Sequence, residues 1–137
     1  MTPLCGTVIA SDRTALAPTA EAPAQARRWA RWLGPHLASE TEEALRIVIS
    51  ELVSNSVVHA GLDNAQRIDV SADVYRDCIS VTVCDHGRGI PAGVSRLRPE
   101  AIRPGRRGMF LVHRLATRVR IDGPRGKVSF QLPRHPG

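Results

Sequence analysis

Several things are scarce in this 137-residue sequence, and each shortage removes a class of protein. No run of about 18 apolar residues occurs, which excludes an ordinary membrane-spanning helix. The N-terminus lacks the basic stretch followed by an apolar one that marks a secretory signal, so a cytoplasmic, non-membrane location is expected. Cys5, Cys78 and Cys84 are odd in number and show no CxxC spacing, which argues against a disulfide or zinc scaffold. Cys78 and Cys84 lie in apolar, strand-like sequence and are expected to be buried, reduced thiols. Aromatic residues make up only 4% of the chain and are poorly interleaved with the arginines, so a stacking platform for single-stranded nucleic acid is not expected. There is no GxxxxGK[ST] phosphate loop and no GxGxxG following a strand, which leaves neither common phosphate fingerprint. Lysine occurs once among 19 basic residues, the rest being arginine, a usage that suits a GC-rich genome.

What is present is enough for a core. An apolar content of 42% over about one domain's length predicts a single compact unit over 1–137, with its core at about 21–132. The net charge of +6 hides an asymmetry: residues 1–85 carry 7 basic and 11 acidic side chains, net −4, and residues 86–137 carry 12 and 2, net +10. A basic end calls for an anionic partner, whether nucleic acid, nucleotide phosphates or an acidic protein surface, and charge alone does not choose.

The chain's periodicities lay out its elements. The first 20 residues alternate weakly and break at Pro18, predicting a short edge strand. EAPAQARRWARWL, Glu21 to Leu33, predicts a helix with Ala26, Trp29, Ala30 and Leu33 on one face, stopped by Gly34 and Pro35. Ser39 followed by Glu42 has capping-box spacing and opens a longer helix running to about Ala60. In it Leu45, Val48, Ile49, Leu52, Val53 and Ser56 form the inward stripe, while Glu51, Asn55 and His59, spaced by four, form a polar one. RIDVSADVYRDCISVTVCD alternates and turns at Arg76 and Asp77, an antiparallel hairpin. From His86 to Gly108 the sequence is rich in glycine, proline and arginine with little periodicity, and so long a loop is usually functional or disordered. GMFLVHRLATR then reads as a short helix, and VRIDGPRGKVSFQLP as two further strands. The expected architecture is a two-layer α/β sandwich: a mixed, mostly antiparallel sheet covered on one face by helices.

Three features carry chemistry. On any amphipathic helix a polar stripe is ordinarily the solvent side, but Glu51, Asn55 and His59 offer a carboxylate, a neutral oxygen and an imidazole, which suit a hard cation such as Mg²⁺ shared with phosphate and water. DHGRGIP, Asp85 to Pro91, is read either as a strand-ending turn or as a base site, with Asp85 accepting from an exocyclic amine while Gly87 and Gly89 admit a flat base. GRRGM, Gly105 to Met109, is either a plain helix start or a phosphate cradle of backbone N–H groups beside Arg106 and Arg107.

The order of these features is what is specific: E-x-x-x-N-x-x-x-H on a helix, about 25 residues of hairpin, D-x-G-x-G-I ending at Ile90, a long loop, R-G-M-F-L-V, then G-K-x-x-F. In that order the chain resembles the GHKL (Bergerat-fold) ATPase superfamily, and within it the small RsbW-like and SpoIIAB-like anti-sigma factors that are also serine kinases. The resemblance implies ATP and Mg²⁺ as cofactors. It implies Glu51 as general base, Asn55 as Mg²⁺ ligand, His59 near the phosphates, and Asp85 with Gly87, Gly89 and Ile90 as the adenine box. Arg106 and Arg107 would meet the γ-phosphate, Gly108 and Met109 would open the phosphate-contacting helix, and Ser129 would stand where many relatives touch the adenine site with a threonine. The second glycine box departs from the superfamily's pattern, since Gly105 and Gly108 are three apart and bulky Phe110 follows Met109.

A chain of this length is expected to have no room for a phosphoacceptor helical hairpin or a second domain, so its output is expected on a partner protein. The resemblance implies a serine/threonine protein kinase and anti-sigma factor, whose partners are a sigma factor and a STAS-fold anti-anti-sigma protein, with dimerisation of the chain possible. The alternative is a nucleotide-binding, non-catalytic module that regulates by sequestering a partner. Nucleic acid is the least favoured partner.

Overall fold

The computed structural model describes residues 6–59, 66–85, 118–122 and 126–135. In chain order these form strand β1 (Val8–Leu16), helix α1 (Ala22–Trp29), a 3₁₀ segment (Ala30–His36), helix α2 (Ser39–His59), strands β2 (Ile68–Tyr75) and β3 (Cys78–Cys84), then β4 (Arg118–Asp122) and β5 (Lys127–Pro133). The strands make one sheet in the order β1-β2-β3-β5-β4. Every described pairing in it is antiparallel, in keeping with the mostly antiparallel sheet expected. β5 inserts between β3 and β4, an antiparallel placement that only the return of the chain after residue 85 could decide.

The helices cover one face. All six residues of the expected inward stripe of α2, Leu45, Val48, Ile49, Leu52, Val53 and Ser56, are buried. They pack over Ile68, Val70, Ala72 and Val74 of β2, Ile79, Val81 and Val83 of β3, and Val128, Phe130 and Leu132 of β5. Period-2 alternation thus sends one apolar row per strand toward the helices, and the resulting burial is the fold's main driving term. The first helix ends earlier than the periodicity predicts. Its α-helical turns stop at Trp29 and the chain tightens into the 3₁₀ segment, which carries Ala30 and Leu33 into the core and accommodates Pro35. Gly34 lies under Glu42, where a Cβ would approach Glu42 Oε2 to 2.8 Å, so a side chain there would displace the end of the Glu42 side chain.

β1 is longer than the short edge strand expected, nine residues paired along the whole of β2. Asp12 on it accepts from the Trp29 indole N–H at 3.1 Å, which ties the edge to α1. Arg134, just past β5, joins two other segments. Its Nε donates to the His36 carbonyl at 2.7 Å, and its Nη1 donates to the carbonyls of Tyr75 at 3.3 Å and Arg76 at 2.9 Å.

The face away from the helices is polar. Register places Arg13, Ser71, Thr82, Ser129 and Arg120 in one row across it, with the Thr82 and Ser129 hydroxyls 3.1 Å apart. Cys84 lies on this face as a thiol, half-buried. Cys78 is disulfide-bonded, which corrects the expectation of reduced thiols at both positions. Cysteine spacing could not show this, because disulfide partners meet through the fold and not along the chain.

Candidate functional site

The second half of α2 and the end of β3 meet over the core. A residue four positions on in a helix lies one turn along and slightly rotated, so Glu51, Asn55 and His59 climb one edge of α2 beside the inward stripe. Glu51 and Asn55 are each half-buried, where a fully solvent-facing stripe would leave them exposed. His59 is the last residue of the helix. Burial raises the pKa of the Glu51 carboxyl above its ordinary value of 4.5, because desolvation disfavours the charged form.

One helical position after Asn55, Ser56 turns its hydroxyl inward and donates to Asp85 Oδ2 at 3.0 Å. Both residues are fully buried, at 0% exposure. Asp85 directly follows Val83 and Cys84 in the alternation of β3, which is why its side chain points toward the helices. A buried carboxylate is tolerated only with hydrogen-bond partners, and the Ser56 hydroxyl is one that reaches it from α2. A second tie comes from the turn before β5: the Asp85 N–H donates to the Gly126 carbonyl at 3.0 Å. Gly126 has φ +63, and a Cβ there would overlap the Asp85 carboxylate, so the position requires glycine twice over. Two segments far from it in sequence, α2 and the turn before β5, therefore converge on Asp85.

Asn55 and Asp85 are thus brought to one end of the sheet through Ser56, their common neighbour. Ser129 is not. It stands on the polar face with Thr82, while Val128 and Phe130 beside it face the core, so the sheet separates it from Asp85. Gly87, Gly89, Ile90, Arg106, Arg107, Gly108 and Met109 lie outside the described residues. Reading the sequence took Ser56 as core and counted Gly126 only as the first residue of G-K-x-x-F. The signal for Ser56 was available, since a hydroxyl ending an apolar stripe needs a partner.

Among the described residues no cluster of three or more His, Cys, Asp or Glu side chains could hold a metal. The Asn55 amide offers a neutral oxygen of the kind that suits a hard cation sharing its shell with phosphate and water. No described helix is long and apolar enough to cross a membrane.

The model of the histidine kinase-like ATPase domain matches residues 16–132, which spans α1, α2, the hairpin and the closing strands. The chain belongs to the histidine kinase-like ATPase domain family. Among relatives of this ATPase domain, the serine-protein kinase RsbW of Oceanobacillus iheyensis is 30% identical over 97 residues, covering 64% of this chain and 61% of the relative. The sensor protein LytS of Staphylococcus epidermidis is 43% identical over 47 residues, 33% of this chain and 8% of LytS. The chain thus spans less than two thirds of the length of these relatives. The crystal structure of the RsbU and RsbW domains of Rv1364c from Mycobacterium tuberculosis superposes with a TM-score of 0.64 at 21% identity, over 92% of this chain and 32% of that one, and so shares the fold. The order of motifs along the sequence and the family match agree on a histidine kinase-like ATPase domain.

Proposed function

We propose that this chain is an ATP-dependent serine/threonine protein kinase and anti-sigma regulator, which phosphorylates a STAS-type anti-anti-sigma protein and sequesters a sigma factor. The observation that carries the reading is the buried Ser56–Asp85 contact, because it seats the carboxylate of the D-x-G-x-G box against the helix that bears Glu51 and Asn55. The 30% identity to a protein named as a serine-protein kinase supports the choice of reaction.

In this reading Asp85 accepts from the exocyclic amine of adenine, and Gly87, Gly89 and Ile90 shape the pocket around the base. Asn55 holds Mg²⁺ through its amide oxygen, with His59 near the phosphates. The cation, when bound, supplies charge neutralisation on the transferred phosphoryl group. Arg106 or Arg107 meets the γ-phosphate, and Gly108 and Met109 open the helix whose N–H groups face it. Glu51 takes the proton of the partner's serine or threonine hydroxyl as that oxygen bonds to the γ-phosphorus. The bond from the γ-phosphorus to the β,γ-bridging oxygen breaks, and ADP leaves. A carboxylate whose pKa is raised by burial is a better match to this work near neutral pH than an exposed one. Ser129 has no part in the reading, being on the other face of the sheet.

The test is transfer of labelled γ-phosphate from ATP to candidate STAS proteins of the same genome. Transfer that vanishes in Glu51→Ala supports the reading. Binding of ATP without transfer to any of them leaves only the sequestering module, and absence of ATP binding removes both.

A further inference from the structure

We propose that Ser56 is a positioning residue for base recognition, holding the Asp85 carboxylate in one orientation so that the site selects a base with an exocyclic amine over one with a carbonyl oxygen at that position. The proposal rests on the reading of Asp85 as the acceptor of that amine.

The inward stripe of α2 is apolar from Leu45 to Val53 and ends in a hydroxyl. A serine within a helix commonly returns its hydroxyl to the carbonyl four residues back. Ser56 instead spends it on Asp85, 29 residues away and fully buried. The terminal torsion of an aspartate is broad, so a carboxylate anchored only by its backbone samples many plane orientations. Here the Asp85 N–H is tied to Gly126, the side chain is flanked by the bare Cα of Gly126, and Oδ2 is tied to α2. The plane of the carboxylate is therefore set from two sides. A carboxylate is an acceptor with about four lone-pair directions, of which the Ser56 hydroxyl uses one. A fixed acceptor pairs with an amine, whereas a carbonyl oxygen in the same place sets acceptor against acceptor, and a site built around such a hydrogen bond rejects the analogue that cannot make it. Loss of the hydroxyl removes the tie from α2 and loosens the carboxylate plane, so the distinction weakens while the backbone anchor to Gly126 stays.

The experiment is calorimetric titration of the full chain with ATP and with inosine triphosphate, which carries an oxygen in place of the adenine amine. Wild type is expected to favour ATP by at least about tenfold. Ser56→Ala, and Ser56→Cys as a near-isosteric weak donor should the alanine variant fold poorly, are expected to narrow that ratio by about three- to tenfold, chiefly through ATP. Ser56→Thr, which keeps the hydroxyl, is expected to preserve it. Equal losses for the two nucleotides, an unchanged ratio in the alanine and cysteine variants, or a threonine variant as unselective as alanine would each overturn the role of Ser56. Wild type that binds no ATP would overturn the nucleotide reading itself, whereas ATP binding with a ratio indifferent to Ser56 removes only this proposal.

Discussion

Gly126 lies so close to Asp85 that a single added methyl group would occupy the place of the carboxylate, and its carbonyl takes the Asp85 N–H at 3.0 Å. Gly6 also has positive φ, +83 against +63, but a Cβ there would meet nothing within 4 Å. The two glycines separate backbone strain from overlap. Gly6→Ala should cost no more than the left-handed strain of about 1–2 kcal/mol, whereas Gly126→Ala adds displacement of Asp85 and should cost more than that. At about 2–5 °C per kcal/mol for a domain of this size, thermal unfolding resolves the two, and equal shifts would show that Asp85 yields freely.

Ser56 and Asp85 should be energetically coupled. Asp85→Ala leaves a buried hydroxyl without this acceptor and should destabilise the fold by about 1–3 kcal/mol. In a double-mutant cycle with Ser56→Ala, unfolding in urea should return a coupling of about 0.5–3 kcal/mol. A coupling near zero would mean that the contact adds nothing to stability.

Arg134 should matter to stability and not to nucleotide binding. Arg134→Ala loses the bonds to the carbonyls of His36, Tyr75 and Arg76, at an expected cost of about 2–3 kcal/mol. Arg134→Lys should recover only a minor part, since a point charge cannot reproduce a planar fork that donates from two nitrogens. Full recovery by lysine in chemical denaturation would contradict this.

Glu51 should trade stability for chemistry. Its pKa is raised in the fold, so below 4.5 the carboxyl is neutral in folded and unfolded chains alike and carries no penalty. As pH rises from 4.5 through the raised folded value, the unfolded chain ionises first, and the desolvation penalty grows to its full size above that value. Glu51→Gln should therefore melt higher than wild type at neutral pH, with the gap closing as pH falls below 4.5. If Glu51 is the base, the same variant keeps ATP affinity and loses transfer by about 10²–10⁴-fold. A melting gap that does not change with pH would show that burial of the charge is not its origin.

Much of this was legible in the sequence because it follows from local period. The spacing of Leu45, Val48, Ile49, Leu52, Val53 and Ser56 identified the buried face of α2, and the alternation from Ile68 to Val83 identified the hairpin and its turn at Arg76 and Asp77. The alternation of Val128, Phe130 and Leu132 also put Ser129 on the far face, which the family resemblance obscured. The 3₁₀ segment was missed because Gly34 and Pro35 end an α-helix without ending helical chain.

By itself, then, the sequence determined which face of each element is apolar, where the hairpin turns, and that Glu51, Asn55 and His59 share an edge of one helix, since side-chain direction repeats at 3.6 residues in a helix and at two in a strand. Only the tertiary structure decided that β5 lies between β3 and β4, that Arg134 closes over His36 and Tyr75, and that Ser56 and Gly126 hold Asp85. Those contacts join residues tens of positions apart, and no local period encodes them. The contact of Ser56 with Asp85 follows from the need of a buried polar group to find a partner wherever packing brings one within reach.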